Sequence, residues 1–471
     1  MPQPNRSATR VRIRNAPMLR RSRRVWVSRK VWRPRLVLWA GALAIGLVSV
    51  AFASLADAAQ NAFATLRSPE HMGLAAMLLL PPAGFALSAW LALTYFPNSQ
   101  GSGIPQAIAA RHLDDDADRS ILLSLRIAAG KIVLTLLGLL SGASIGREGP
   151  TVQVGASIML AAGRFGGMAQ ARGLILAGSA AGIAAAFNTP LAGIVFAIEE
   201  MGRAYEARTN GLVLSAVVLA GLASLGLTGN YTYFGESDAV VSSARDWVLV
   251  IACGIVGGTL GAVFSAAALR SMRRIKRWAA SAPRRRAVGA AAACGLIVAL
   301  IGLLSGGATY GTGYEQARSA IEGTPLPPLF FAEKFAASLV SMVSGIPGGI
   351  FAPSLAVGAG LGSTIGLLLG TGSGLAAMLG MAGYFAGVVQ APMTAFVIIL
   401  EMTGDHRNVI PLMLAAVLGF GTARLVSSQA LYHSLSRNFV ADVLRIRRAQ
   451  ARVDDGAGAV QHRQRRAAPD L

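Results

Sequence analysis

Cysteine, histidine and charge are all scarce in this chain. The two cysteines, Cys253 and Cys294, each lie within an apolar stretch at a spacing that matches no metal motif, so they read as buried thiols. The five histidines, His71, His112, His406, His433 and His462, are scattered and suggest no metal site. Charged residues make up only 14% of the 471 positions, against 54% hydrophobic ones, with a mean hydropathy of +0.54. That balance excludes an ordinary soluble domain of this size. What the chain has instead is long apolar runs. Residues 37–55, 74–95, 211–228, 246–269, 287–305 and 408–425 are each long enough to cross a hydrocarbon core of ~30 Å. The sequence is that of a polytopic membrane protein.

Acidic residues are half as common as basic ones, 22 against 43, giving a net charge of +21. The first 36 residues hold twelve Arg/Lys and no acid, positions 270–286 hold eight more, and the tail beyond Arg437 is Arg-rich again. Basic blocks that flank apolar spans follow the positive-inside rule and suit contact with anionic lipid, so nucleic acid is not the expected partner. Both termini and the 270–286 loop are expected to be cytosolic. The N-terminal basic stretch is too long, and the apolar run after it too extended, for a cleavable signal peptide. The organisation expected is a basic segment 1–36, a membrane domain 37–440 and a tail 441–471.

The membrane region repeats itself. At an offset of 203, SGASIGREGPTVQVGA (141–156) aligns with SGIPGGIFAPSLAVGA (344–359), and Lys131 aligns with Lys334. At an offset of 202, GSAAGIAAAFNTPLAGIVFAIEE (178–200) aligns with GMAGYFAGVVQAPMTAFVIILEM (380–402). Two halves result, roughly 37–230 and 246–437. Duplicated membrane halves suggest a transporter architecture, with the substrate site where the halves meet. The runs that start at Pro190 and Pro392 look too short to span alone, and short Gly- or Pro-broken helices at matched positions point to an ion site. The repeat alone leaves open whether the halves run parallel or inverted.

Three stretches, GSGIP (101–105), GREGP (146–150) and GGIFAP (348–353), place small residues at the start of an apolar helix. A helix N-terminus presents unpaired N–H groups and about half a positive charge, so it can receive an anion. One such start often serves only close packing. Three in one membrane chain indicate a shared anion site.

In this order and spacing the three motifs resemble those of the CLC family of chloride channels and proton–chloride exchangers, in its bacterial form, over about 37–440. AAAFNTPLAGIVFAIEEM (184–201) resembles the family as well. The resemblance implies an all-α membrane fold of two inverted-repeat halves with tilted and discontinuous helices. It also implies a homodimer, one anion pathway per subunit, and a multi-pass protein of a bacterial cell membrane. Ser102 Oγ and the Tyr432 hydroxyl would hold a dehydrated anion, completed by the backbone N–H groups of Ile350 and Phe351. The N–H groups of Arg147 to Gly149 would form an outer site that the ionised Glu148 carboxylate can occupy. Taken alone, Ser102 reads as a helix cap and Tyr432 as an interfacial tyrosine. Serine at 102, where nitrate-preferring relatives carry proline, implies chloride.

The repeat sorts the acids. Glu199 has a twin in Glu401, which suggests a task that both halves need, such as anchoring a helix end. Glu200 aligns with Met402, and an unshared carboxylate in an apolar helix is costly and by default functional. By resemblance Glu200 is the inner proton-transfer residue of the exchangers, where channels usually carry an uncharged one. Lys131 and its twin Lys334 suit either a structural anchor or a diffuse positive potential. After GSGIP, Gln106 and Ile108 stand where some relatives place acids, a difference expected to touch salt bridging near the dimer or the cytosolic face rather than the anion site.

The expected function is secondary active exchange of chloride for protons. Ionised Glu148 fills an anion position; protonated, it swings out and admits chloride. A passive anion channel of the same fold is the alternative, and Glu200 argues against it. An enzyme using Glu148 as general acid or base would need a histidine or metal ligand beside GREGP, and none is close in sequence, so no catalytic activity is expected. A membrane scaffold with vestigial machinery would not need Ser102, Glu148, Glu200 and Tyr432 together. Chloride and protons are expected as the transported ions, with no cofactor. The tail is too short for paired nucleotide-binding domains, so no adenine-nucleotide control is expected.

Overall fold

A computed structural model of the chain describes residues 29–202, 210–229, 232–235 and 237–467. The first 28 residues of the expected basic segment lie outside this range. The first half contains α1 (Arg29–Leu66), α2 (Leu74–Thr94), α3 (Ile104–His112), α4 (Asp116–Leu122), α5 (Leu125–Leu140), α6 (Glu148–Gly166) and α7 (Ala171–Phe187). It continues through α8 (Pro190–Phe196), which widens into a π turn over Ala197–Gly202, to α9 (Asn210–Thr228). The second half contains α10 (Ala244–Ala279), α11 (Pro283–Leu304), α12 (Tyr314–Ile321), α13 (Phe330–Val343) and α14 (Phe351–Leu369). It ends with α15 (Ser373–Val389), α16 (Pro392–Thr403) and α17 (Val409–Val426), and α18 (Leu431–Ala467) follows. Apart from the small α4, each helix of one half has a counterpart in the other.

Local chemistry repeats with the helices. α7 and α15 both stop on a left-handed, non-glycine residue, Asn188 (φ 56°) and Gln390 (φ 60°), which face each other at the 202 offset. Two residues later a proline opens α8 and α16, where its missing N–H costs nothing. At ~1.5 Å per residue, α7 and α15 fall short of a full crossing, and they are buried along nearly their whole length inside the protein. Around them lies one continuous core drawn from both halves. All six apolar runs expected to span appear as long helices, joined by Asp116–Leu140 and Phe351–Leu369.

The halves are inverted repeats related by an internal two-fold. Equivalent elements pack on each other, α2 against α11 and α8 against α16. Equivalent residues also pair: Gly146 and Gly349 form an antiparallel bridge, each N–H donating to the other's carbonyl at 2.7 Å. Two expected boundaries shift. Arg270 to Arg277 continue α10 rather than forming a loop, and the break narrows to residues 280–282, since Ala, Arg and Lys favour the helix. α18 likewise runs through position 440 into the expected tail.

Candidate functional site

The three glycine-framed motifs converge. The GSGIP loop is stitched to the third motif by Gly101 N–H on the Ile346 carbonyl (3.2 Å) and Gly348 N–H on the Gly101 carbonyl (3.1 Å), while the Gly146–Gly349 bridge ties the second motif to the third. α3, α6 and α14 therefore start close together. The first intrahelical bonds of α6 and α14 come from Thr151 N–H to Arg147 (3.0 Å) and Ser354 N–H to Ile350 (2.9 Å), so the N–H groups before them have no acceptor within the helix. Gly149 is required by contact: a Cβ there would lie 2.3 Å from Ser102 Oγ and 3.3 Å from the Gly349 Cα.

Into this crossing point Ser102, Glu148 and Tyr432, all buried, with Glu148 and Tyr432 at 0% exposure. The Tyr432 hydroxyl faces Ser102 and lies within electrostatic reach of Glu148 and Glu200. The Glu148 carboxylate lies against the Ala352 N–H. Yet Ser102 Oγ, the Tyr432 hydroxyl and both Glu148 oxygens lack a well-formed hydrogen bond among the described residues. Buried polar atoms are almost always satisfied, so four such atoms in one place mark a site built for something else. The Phe351 ring closes one side, 6.0 Å from Tyr432, 4.8 Å from Phe385 and stacked on Phe187 at 6.3 Å. Thus Ser102, Glu148, Gly149, Ile350, Phe351 and Tyr432 are brought together.

Arg147 is at the same helix start, but its side chain turns away. Its guanidinium donates to the Ala53 carbonyl (2.6 Å) and to Asp57 (3.0 Å), and it lines a polar cavity of about 450 Å³ with Asp57, Arg67 and Tyr310. Asp57 lies about 90 positions away and carries no motif, so no sequence signal marks it as the partner.

Glu199 and Glu200 diverge completely. The Glu199 carboxylate accepts from Met393 N–H (3.1 Å), Thr394 N–H (2.6 Å) and Thr394 Oγ1 (2.8 Å) at the start of α16. Glu401 returns the same bonds to Leu191 N–H (3.0 Å) and Ala192 N–H (2.6 Å) at the start of α8. The twin acids thus anchor helix ends, as the repeat suggested, and do so reciprocally across the two-fold. Glu200 is 2% exposed, lies in the π turn rather than in a regular α-helix, and meets His433 Nδ1 at 3.3 Å. His433, among the scattered histidines in the sequence, was missed because its partner lies on another helix.

The lysines prove to be anchors. Lys131 Nζ donates to the Gly101 carbonyl at 2.8 Å, and Lys334 Nζ to Thr309 and Gly311 at 2.9 and 2.8 Å, each holding the loop before a short helix. Gln106 requires a correction. It is buried rather than peripheral, and its amide donates to the Asn98 and Gln100 carbonyls, bracing the loop that leads to Ser102. Salt bridging occurs instead at Asp114, Asp115 and Asp118, with Arg172 and Arg447.

A family model described as "Voltage gated chloride channel" matches residues 84–424. The H(+)/Cl(-) exchange transporter ClcA of Salmonella paratyphi A (strain ATCC 9150 / SARB42) is 31% identical over 422 residues, covering 83% of this chain and 85% of that protein. ClcA of Salmonella typhi matches to the same extent. Among solved structures, a slow cyanobacterial Cl−/H+ antiporter superposes with a TM-score of 0.75 at 25% identity, over 87% of this chain and 98% of that one. A CLC-type fluoride/proton antiporter superposes at 0.70 with 24% identity, over 85% and 96%, a likeness of fold.

Proposed function

This chain belongs to the voltage-gated chloride channel family, and from that premise we propose that it is a secondary active transporter exchanging chloride for protons. The observation that carries the reading is the buried Glu148 carboxylate, set against the Ala352 N–H yet without a well-formed hydrogen bond among the described residues, at the crossing of helix starts. Ionised Glu148 competes with chloride for those groups. When it takes a proton it loses its hold and swings toward the mouth lined by Arg147, and chloride enters. Ser102 Oγ, the Tyr432 hydroxyl and the N–H groups of Ile350 and Phe351 hold the dehydrated anion; the N–H groups of Arg147 and Gly149 serve the outer position. Glu200 exchanges protons with the inner solution and passes them toward Glu148 through water.

No cofactor or metal enters this cycle, and nothing in it is a covalent reaction. We place the protein in the cell membrane of a bacterium, with cytosolic termini, anionic lipid against its basic segments and a second copy as its partner. The exposed apolar faces of α9 and α17, with Leu214, Leu222, Ile410 and Val417 outward, suit burial in lipid or against another subunit.

Reversal potential in proteoliposomes with opposed chloride and proton gradients tests the proposal. An exchanger's zero-current potential is displaced from the chloride Nernst potential and moves with the proton gradient. A potential fixed at the chloride value, with no proton flux, would establish the passive channel instead.

A further inference from the structure

His433 has no part in the cycle above, yet it stands at its inner end. It lies on the first turn of α18, one residue after Tyr432, and its Nδ1 approaches Glu200 Oε1 to 3.3 Å. The approach is not a well-formed hydrogen bond, and neither atom has any other hydrogen-bond partner among the described residues, so a small turn of the ring is needed to align the pair. Their exposures differ in a useful direction: the Glu200 side chain is 3% accessible, that of His433 13%. The carboxylate is sealed, and the imidazole beside it, with Nδ1 buried, keeps a small accessible edge.

We propose that His433 is the proton relay that charges and discharges Glu200, an inference that rests on the reading of Glu200 as the inner proton acceptor. In the loading step the protonated imidazole gives its Nδ1 proton to Glu200 Oε1. The N–H bond breaks, the O–H bond forms, and the ring is left neutral until water supplies its next proton. Unloading is the reverse. Histidine suits the task because its charge changes near neutral pH, and it is the commonest general acid–base side chain.

The surrounding charges leave this position open. α18 packs against α3, α4, α10 and α15. From α3, Arg111 donates to the Met201 carbonyl, a fixed cation beside the turn that carries Glu200, and His112 follows it. From α4, Asp118 is paired with Arg447, and Arg119 with Asp116. From α10, Lys276 is paired with Asp442, and Arg273 bonds the Leu269 carbonyl. α15 brings only Tyr384. On the π turn, Glu199 is held by Met393 and Thr394. Beside these groups the His433 imidazole comes within 3.3 Å of the Glu200 carboxylate, and histidine is a side-chain type that can both give and take a proton.

The test is simultaneous measurement of proton and chloride flux in proteoliposomes, for the native chain, His433→Gln, His433→Ala and Glu200→Gln, across an inner pH of ~5 to 8. The expected result is an approximately 10-fold fall in the proton-to-chloride ratio of both His433 variants, with a flattened pH profile. Imidazole added on the inner side should restore the ratio in His433→Ala. A native ratio and profile in both variants overturns the relay. So does a parallel fall of both fluxes at constant ratio, or a lowered ratio that keeps its pH profile and ignores imidazole, since these mark a residue that merely positions Tyr432. Normal coupling in Glu200→Gln overturns the reading of Glu200 itself. Lost coupling there with unaffected His433 variants overturns the relay alone.

Discussion

Two regions of the molecule hold buried carboxylates and treat them oppositely. In the clasp between α8 and α16, Glu199 and Glu401 each accept at least two backbone N–H bonds, so every oxygen is engaged. At the crossing of α6 and α14, Glu148 faces equally unpaired N–H groups and bonds none of them well. Helix starts and acids are common to both places. The clasp is a finished set of hydrogen bonds; the crossing is an unfinished one, which an ion can complete. The second difference is symmetry. The clasp obeys the internal two-fold, whereas Glu148 and Glu200 face Phe351 and Met402 in the repeat. Carboxylates that obey the two-fold build; those that break it are the two to which the proposed cycle gives the moving charge.

The comparison breaks most sharply at the two acids that depart from the two-fold. Glu148→Gln should abolish proton movement, a loss of at least ~100-fold in proton flux, while chloride still passes. Glu200→Gln should retain chloride flux and lose proton coupling. Paired pH-electrode and chloride-electrode recordings read both, and either variant pumping protons normally would erase the distinction between the regions. Next is the crossing's geometry. Gly149→Ala puts a Cβ 2.3 Å from Ser102 Oγ, and chloride flux should fall roughly 10- to 100-fold with the fold intact.

The clasp should respond in a different quantity. Glu199→Ala and Glu401→Ala each strand buried N–H groups and should cost about 2 kcal/mol of stability, by similar amounts, with the exchange ratio kept. Thermal unfolding in detergent, beside a flux ratio, checks this; a changed ratio would move Glu199 into the transport machinery. The smallest expected effect separates the twin lysines. Lys131→Met and Lys334→Met should each lose roughly 1–3 kcal/mol, because each leaves loop carbonyls without a donor. Only Lys131→Met should also weaken chloride binding, measured calorimetrically, since its loop alone leads to Ser102.

Much of this was readable in the residues. The repeat came from glycines and prolines at fixed offsets, and those positions turned out to be backbone contacts, such as Gly146 on Gly349, that tolerate little change. The structural part of Glu199 was legible because its twin exposed it. His433 and Asp57 were not, for each acts through a partner on a different helix. The π turn under Glu200 was hidden too, since AIEEM reads as ordinary helix. Gln106 was misjudged because its role depends on which carbonyls fold back beside it.

The paired bonds between Gly146 and Gly349 have a mechanical consequence. They lie on the internal two-fold and, with the Gly101 stitches, weld the two halves at the crossing where the proposed anion site lies. Rocking one half against the other, a common way for duplicated transporters to alternate their access, would tear this seam. In the proposed cycle the doors would then be small parts hung on a rigid frame, the Glu148 side chain at one end and the turn that carries Glu200 at the other.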